Sequence, residues 1–331
     1  MKKNITIADV ADALGVSKTT VSRAISGKGR IGDATREKVL NYIDENDYVP
    51  NQMAKGLATN KTYNIGVVMQ GDYSFIDLPF FQECLIGVHD VGAAMDYDIL
   101  LTVTQNTNTS KLERIIRNHK VDGIILLRTF MEDKSVEYLK KSKIPFVVVG
   151  SSDYENVIQV DNDHLQACKE LTSILLMKHI TKIALIGGNE NYVVTRNRLK
   201  GFKEAFKEQN IPISEDMIYL NMENPIFIDK CVDDVLKKNA QCILCMDDAI
   251  CLHVLNRLDQ NKIDVPKDIK VASFYNSFLL ENHLPSITSL TFDAKELGML
   301  ASTVLFDSME GKEVAMKTYR GYEVRLKDST K

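Results

Sequence analysis

Residues 16–30 read VSKTTVSRAISGKGR. Val21, Ala24 and Ile25 keep the spacing of one helical face, while Lys18, Thr19, Ser22, Arg23 and Ser26 fall on the opposite side. The stretch therefore reads as a short amphipathic helix with a small, polar, positive outer face. Ser17 is placed to cap it, with Val16 and Val21 at the two positions of a hydrophobic staple. Upstream, Thr6 and Asp9 stand at capping-box spacing, Ile7, Val10, Ala11 and Leu14 form a second apolar stripe, and Gly15 ends that helix. Two one-faced helices joined by a turn of about three residues make a helix-turn-helix. A third helix over 33–46 supplies Val39, Leu40 and Ile43 to close a miniature core.

A solvated helix face is the plain alternative for residues 18–26, and the charge distribution argues against it. Of 41 Lys+Arg and 45 Asp+Glu, 10 and 7 fall in residues 1–61, which leaves the remainder of the chain at net −7. A small basic head on an acidic body predicts that only the head meets a polyanion. Short polar and cationic side chains reach base edges and phosphates when such a helix lies in the major groove. The next segment, YVPNQMAKGLATNKT, places Met53 and Leu57 at i and i+4 behind Pro50 but contains Gly56. Helices shorter than ~12 residues are marginal in water. This one is expected to order only on DNA, where it could push an apolar side chain into the minor groove; a plain linker is the alternative.

A chain of 331 residues implies more than one domain. Its 44% hydrophobic and 26% charged content is that of a soluble protein, and no apolar run approaches the ~20 residues of a membrane span. The start MKKNITIADV has no apolar signal region, so a cytoplasmic location is expected. Cys84, Cys168, Cys231, Cys242, Cys245 and Cys251 sit mostly in apolar segments and read as reduced, packed thiols. The Cys242/Cys245 pair lacks a second ligand pair, so no metal and no cofactor are expected. G-x-G-x-x-G, G-x-S-x-G, H-E-x-x-H and P-loop patterns are missing, which argues against a dinucleotide enzyme, a hydrolase or a kinase. From Asn64 on, apolar runs such as NIGVVM, DILLTV, GIILL and FVVVG alternate with helical stretches over 79–95, 110–120 and 133–141. A second series follows, with VIQV, KIALIGG, CILCM and IKVASF separated by a helix through Leu176 and helices over 195–208 and 247–260. The expected fold is α/β: a helix-turn-helix headpiece and a body of two doubly wound parallel-sheet lobes with a ligand cleft at the carboxyl ends of the strands.

The head ITIADVADALGVSKTTVSRAISG, the linker YVPNQMAKGLATNKT and the restart NIGVVMQ resemble the LacI/GalR family of bacterial transcriptional regulators, and the resemblance runs to the closing YEVRLKDSTK. It implies a homodimer on a pseudo-palindromic operator, switched by a small molecule that is most often a sugar. It also implies a periplasmic-binding-protein-like body whose chain crosses between lobes three times, near Gln159, Ser289 and Tyr319. The implied domains are a head at 1–49, a hinge at 50–62 and a body at 63–331. Lobe 1 spans 63–159 and 291–319; lobe 2 spans 160–290 and 320–331. By the match of motifs Lys18 and Thr19 fall where the family reads bases, Arg23 where it contacts DNA and Leu57 where it places the minor-groove lever. Thr6, Ser17, Thr20, Ser22, Asn51 and Lys55 complete the candidate DNA contacts, Lys55 standing where the family usually has Arg.

In the cleft, the loop GDYSFIDLPFF offers Tyr73 and Phe75 beside an acid, a combination that stacks on a sugar ring and accepts from its hydroxyls; loop packing is the alternative. Asp161, Arg198 and Asp247 match effector positions of the family. Three departures follow: Tyr275 stands where the family usually has an Asp, followed by Asn276; Phe292 stands where some members have a polar ligand contact; and Leu165 stands where the family usually has a Gly. Loss of that acid removes a strong acceptor for sugar hydroxyls. The pattern F-x-N-S, Phe274 to Ser277, is similar to the maltose-repressor subgroup, which makes an α-glucoside such as maltose the leading effector, with Tyr275, Asn276 and Phe292 in its pocket. Two alternatives are a regulator activated by a corepressor or protein partner, and a solute-binding protein. If Lys18 reads a base, Lys18→Ala will change the ranking of operator variants in a gel-shift series; a uniform loss across all variants would reduce Lys18 to a phosphate contact.

Overall fold

A computed structural model describes residues 5–27, 29–46, 48, 56, 59–70 and 79–331. The chain forms two compact units, Met1–Tyr63 and Asn64–Lys331. In the first, α1 (Ile7–Leu14), α2 (Lys18–Ser26) and α3 (Asp33–Glu45) follow one another through short turns. The capping box on α1 is present: the Thr6 N–H donates to the Asp9 carboxylate at 2.8 Å, and the Asp9 N–H donates to the Thr6 hydroxyl at 3.4 Å. Gly15 ends the helix at φ +66°, a left-handed backbone region that favours glycine. Ser17 caps α2 by accepting from the Thr20 N–H at 3.1 Å. Val10, Ala11, Val21, Ala24, Val39 and Tyr48 form the core. Leu40, expected in that core, is 43% exposed instead. The faces buried on α3 are those of Val39 and, partly, Tyr42 and Ile43, and Leu40 sits about 100° around the helix from Val39.

The second unit runs β1 (Asn64–Gln70), α4 (Pro79–Ala94), β2 (Asp98–Thr104), α5 (Ser110–Arg117), β3 (Gly123–Leu127), α6 (Lys134–Ser142), β4 (Phe146–Val149) and β5 (Ile158–Asn162). It continues through α7 (His164–Met177), β6 (Ile183–Ile186), α8 (Val193–Glu208), β7 (Ile218–Tyr219), α9 (Pro225–Lys237), β8 (Cys242–Cys245), α10 (Asp248–Gln260), β9 (Lys270–Ser273), α11 (Phe278–Glu281) and β10 (Thr288–Thr291). It ends with α12 (Ala294–Met309), β11 (Lys317–Arg320) and β12 (Glu323–Arg325). One sheet has the order β11-β5-β4-β3-β1-β2 with every pair parallel. The other has the order β12-β10-β9-β8-β6-β7, parallel except that β12 runs against β10. The strands β1, β3 and β8 are almost wholly buried, as expected of parallel strands covered on both faces.

Each lobe is doubly wound. In lobe 2, Leu171 and Leu175 of α7 with Phe202 and Phe206 of α8 cover one sheet face, and Val232 and Val235 of α9 with Val254 and Leu258 of α10 cover the other. In lobe 1, Leu112 and Ile115 of α5 and Val136 and Leu139 of α6 pack on Val68, Ile124 and Val148. The chain passes between the lobes close to the three expected places. Arg320 still pairs with Asn162 in the first sheet, and Thr291 with Glu323 in the second. The passages therefore follow Asn162, Thr291 and Arg320, because ladder pairing holds Gln159, Ser289 and Tyr319 inside their strands.

Among the described residues, two long helices, α9 and α12, and the one-turn α11 are missing from the series read in the sequence. Pro225 reads as a breaker, yet it occupies the first turn behind the cap Asn224, where its missing N–H has no intrahelical partner to lose. The apolar residues of α12 are interrupted by Gly298, which weakens the helical signal. That glycine has a packing role: a Cβ on Gly298 would overlap the Cys84 backbone carbonyl on α4, and one on Gly87 would overlap the Lys295 carbonyl on α12. Since backbone cannot rotate away, Gly298→Ala should destabilise the protein by ~1–3 kcal/mol, read as a lower melting temperature by circular dichroism. An unchanged melt would contradict this close helix contact.

Candidate functional site

The polar face of α2 is available for contact. Ser17, Lys18, Thr19, Ser22 and Arg23 are exposed and Thr20 is partly so, while Val21 and Ala24 are buried beneath them. Two of the candidate contacts have structural duties as well. Thr6 is engaged with Asp9 in capping α1, and the Ser17 hydroxyl both accepts from the Thr20 N–H and lies 2.9 Å from the Thr20 hydroxyl. Lys18, Thr19, Ser22 and Arg23 have no such capping role; Lys18 opens the helix and Arg23 stands in its last turn, so the exposed face carries a cation towards each end. Asn51, Lys55 and Leu57 lie outside the described residues, as do Tyr73 and Phe75 of the cleft.

Within the second unit, a cavity of about 410 Å³ opens between the two lobes. Its lining comes from the carboxyl ends of strands on both sides. Lobe 1 supplies Phe80 and Phe81 from the start of α4, Arg128 and Thr129 after β3, Val149 at the end of β4 with residues 150–151 after it, and Asp161 of β5. Lobe 2 supplies His164, Asn189, Tyr192, Arg198, residues 246–250 after β8, and Tyr275 after β9. This is the crevice in which open α/β sheets hold ligands.

Four buried or partly buried polar groups shape its electrostatics. Asp161 accepts from the Ser151 hydroxyl at 2.6 Å and from the Asn162 N–H at 2.8 Å. Burial nevertheless pushes its carboxyl up to about 6, against the pull of those donors and of Arg198. Asp248 is likewise pushed up to about 6 by burial and by the neighbouring Asp247, with Ser277 opposing. Its Oδ2 has no hydrogen-bond partner among the described residues. Burial, helped by the Arg198 guanidinium, holds His164 well below the usual imidazole range, so it is neutral. Arg198 donates to the Met246 carbonyl, and its buried Nε has no partner among the described residues. A carboxylate acceptor and a guanidinium donor thus face aromatic walls, the combination that fits a ring bearing hydroxyl groups.

The structure brings Asp161, Arg198, Asp247 and Tyr275 together in the lining and leaves Asn276 and Phe292 out of it. Asp247 also caps α10 by accepting from the Ile250 N–H at 2.8 Å, so one of its oxygens is already used. Asn276 donates to Glu281 at 2.7 Å and serves its own loop. Phe292 lies behind the wall: its ring is 4.8 Å from that of His164 and stacks at 6.3 Å on Tyr275. Tyr275 in turn meets Phe80 edge-on at 5.9 Å, and burial raises its phenol far above the usual range. Phe292 therefore supports the Tyr275 ring from behind.

Arg128, Tyr192, His164 and Asp248 were not among the residues singled out in the sequence. Arg128 is held at φ +68°, and its guanidinium lies 4.9 Å from the Phe81 ring centroid and 4.3 Å from that of Tyr192. One signal pointed to it: Arg128 directly follows the apolar run GIILL, at the carboxyl end of a parallel strand.

A family model described as bacterial regulatory proteins, lacI family, matches residues 6–51, and one for a periplasmic binding protein-like domain matches residues 172–330. The chain is 30% identical over 339 residues to catabolite control protein A of Priestia megaterium, covering 99% of this chain and 100% of that protein. It is 31% identical over 271 residues to the HTH-type transcriptional regulator MalR of Streptococcus pneumoniae, covering 79% and 82%. The solved structure of a lac repressor dimer bound to operator and an anti-inducer superposes with a TM-score of 0.85 at 19% identity, covering 99% of both chains.

The raised carboxyls give a pH test. An acid whose folded pKa of about 6 exceeds its unfolded value costs stability above pH ~6, and that cost fades as the pH falls through 6 towards 4. Asp248→Asn should therefore raise the melting temperature near pH ~7.5, by an amount worth ~1–3 kcal/mol, and lose most of the gain near pH ~4.5. A gain that does not change with pH would contradict a buried, charged Asp248.

Proposed function

The chain belongs to the LacI family of bacterial regulatory proteins, and on that premise we propose that it is a repressor whose operator affinity is lowered by a small sugar, with maltose or another α-glucoside as the leading effector. The observation that carries the reading is the cavity between the lobes, with its aromatic walls, the Arg198 guanidinium and an Asp248 oxygen that has no hydrogen-bond partner among the described residues. Phe80, Phe81, Tyr192 and Tyr275 offer faces and edges for the apolar side of a pyranose, and the charged groups offer donors and an acceptor for its hydroxyls. Support for the α-glucoside comes from the F-x-N-S resemblance and from the match to a regulator named MalR.

The mechanism is a shift of populations. A ligand that binds the closed cleft more tightly than the open one favours closure, and closure changes the geometry presented by the amino-terminal lobe at its junction with the hinge and head. A hundredfold change in operator affinity needs only ~2.7 kcal/mol of coupling, within reach of two or three charged hydrogen bonds made in one state alone. Homodimerisation on a pseudo-palindromic operator doubles the number of heads engaged and belongs to the same proposal. Lys18, Thr19, Ser22 and Arg23 are the proposed readers of the operator, and Leu57 the proposed lever at the minor groove.

The experiment is fluorescence anisotropy on a labelled palindromic operator at one fixed salt concentration, scanning maltose, other sugars, sugar phosphates and nucleobases. Release by maltose is the expected result. Tightening by any compound, or indifference to every sugar, would overturn the inducer reading in favour of a corepressor or partner protein. Arg198→Ala should move the maltose response to at least about tenfold higher concentration, since a hydrogen bond from a charged group is worth ~1.5–3 kcal/mol.

A further inference from the structure

Beside the cavity, the two lobes are joined by contacts that no ligand supplies. The segment after β3 and the segment before α8 run antiparallel, with Phe130 and Tyr192 as a bridge pair. The Met131 N–H donates to the Asn191 carbonyl at 3.0 Å, and the Val193 N–H donates to the Thr129 carbonyl at 3.1 Å. The Phe130 and Tyr192 rings lie 4.9 Å apart, and the Arg128 guanidinium covers the Tyr192 ring. A short distance along α8, Arg196 forms a two-pronged ion pair with Asp153 of lobe 1, one prong at 2.9 Å. Neither Arg196 nor Asp153 lines the cavity.

The bond from Val193 has a particular consequence. Val193 is the first residue of α8, so its N–H is one of those that a helix cannot satisfy internally. Tyr192, at the cap position, makes no side-chain capping bond. The cap is instead a backbone carbonyl from the other lobe, so opening the cleft here uncaps α8. Arg128 holds its left-handed backbone next to this bridge, with its N–H on Val149 and its carbonyl accepting from Gln70 Nε2 at 3.1 Å. Non-glycine residues persist in that region when their surroundings fix them from several sides.

We propose that residues 128–131 of lobe 1 and 189–193 of lobe 2 form a strap, locked by Asp153 and Arg196, that sets the closure equilibrium of the cleft in the absence of effector. The strap rests on reading the body as a lobe-closing switch: a ligand then biases an equilibrium already poised by the chain's own contacts. Because the ion pair lies outside the cavity, it tunes closure without touching the ligand.

Hydrogen exchange on the full-length protein without ligand tests it. The Met131 and Val193 amides should be protected together, because both bonds break in one opening. Arg196→Glu should accelerate both by at least about two- to fivefold, the range for one partly exposed ion pair. Amides in the centre of β3, such as that of Leu126, should not change. Adding Asp153→Arg to Arg196→Glu should restore the protection of both. Unprotected Met131 and Val193 amides in the parent protein, or protection that ignores the charge reversal, would overturn the strap. Operator anisotropy on the same variants keeps the two readings apart: a sugar response with no strap protection rejects only the strap, whereas a reversible strap with no response to any sugar rejects only the effector reading.

Discussion

The chain crosses between lobes after Asn162, Thr291 and Arg320, and those passages bring the carboxyl ends of the parallel strands of two sheets to one cleft. Every feature of the site depends on that constraint. Parallel strands deliver their following loops to a single edge, so residues remote in sequence, Arg128 after β3, Asp248 after β8 and Tyr275 after β9, converge on one cavity. The ladders β5·β11 and β10·β12 also fix where bending can occur, since paired strands resist it and the unpaired links between them do not.

Polarity in the cleft is maintained at a cost in stability. Asp161 and Asp248 are buried carboxyls whose ionised forms are penalised, and Asp248 Oδ2 and Arg198 Nε lack partners among the described residues. Unsatisfied buried groups cost free energy that a ligand recovers when it supplies the missing bonds. The aromatic residues work in the opposite sense: Tyr275 stacked on Phe292 fills space with apolar surface. The described lining thus combines carboxyl groups with the broad aromatic surfaces of Phe80, Phe81, Tyr192 and Tyr275.

Much of this was legible in the sequence, for physical reasons that differ from residue to residue. The head was readable because caps and periodicity are local: Thr6 with Asp9, Gly15 and Ser17 each act within one helical turn. Alternation of apolar runs with helical stretches gave the two lobes. Leu40 was misplaced because two adjacent apolar residues do not say which of them faces inward. Pro225 and Gly298 hid α9 and α12, whose stability comes from packing rather than propensity. Phe292 was placed in the pocket by resemblance, while its actual position behind Tyr275 depends on how bulky aromatic rings pack once both are present. Arg128 and Tyr192 were missed because their significance arises only when one lobe meets the other, a relation that neither local segment encodes.

The account's central claim is a thermodynamic link between the cleft and the operator, and linkage is reciprocal. The most direct measurement is calorimetric titration of maltose into the protein alone and into the protein saturated with operator, at the same salt concentration. The account predicts weaker maltose binding in the operator complex, by the same factor by which maltose weakens operator binding. Equal maltose affinity with and without operator would contradict it.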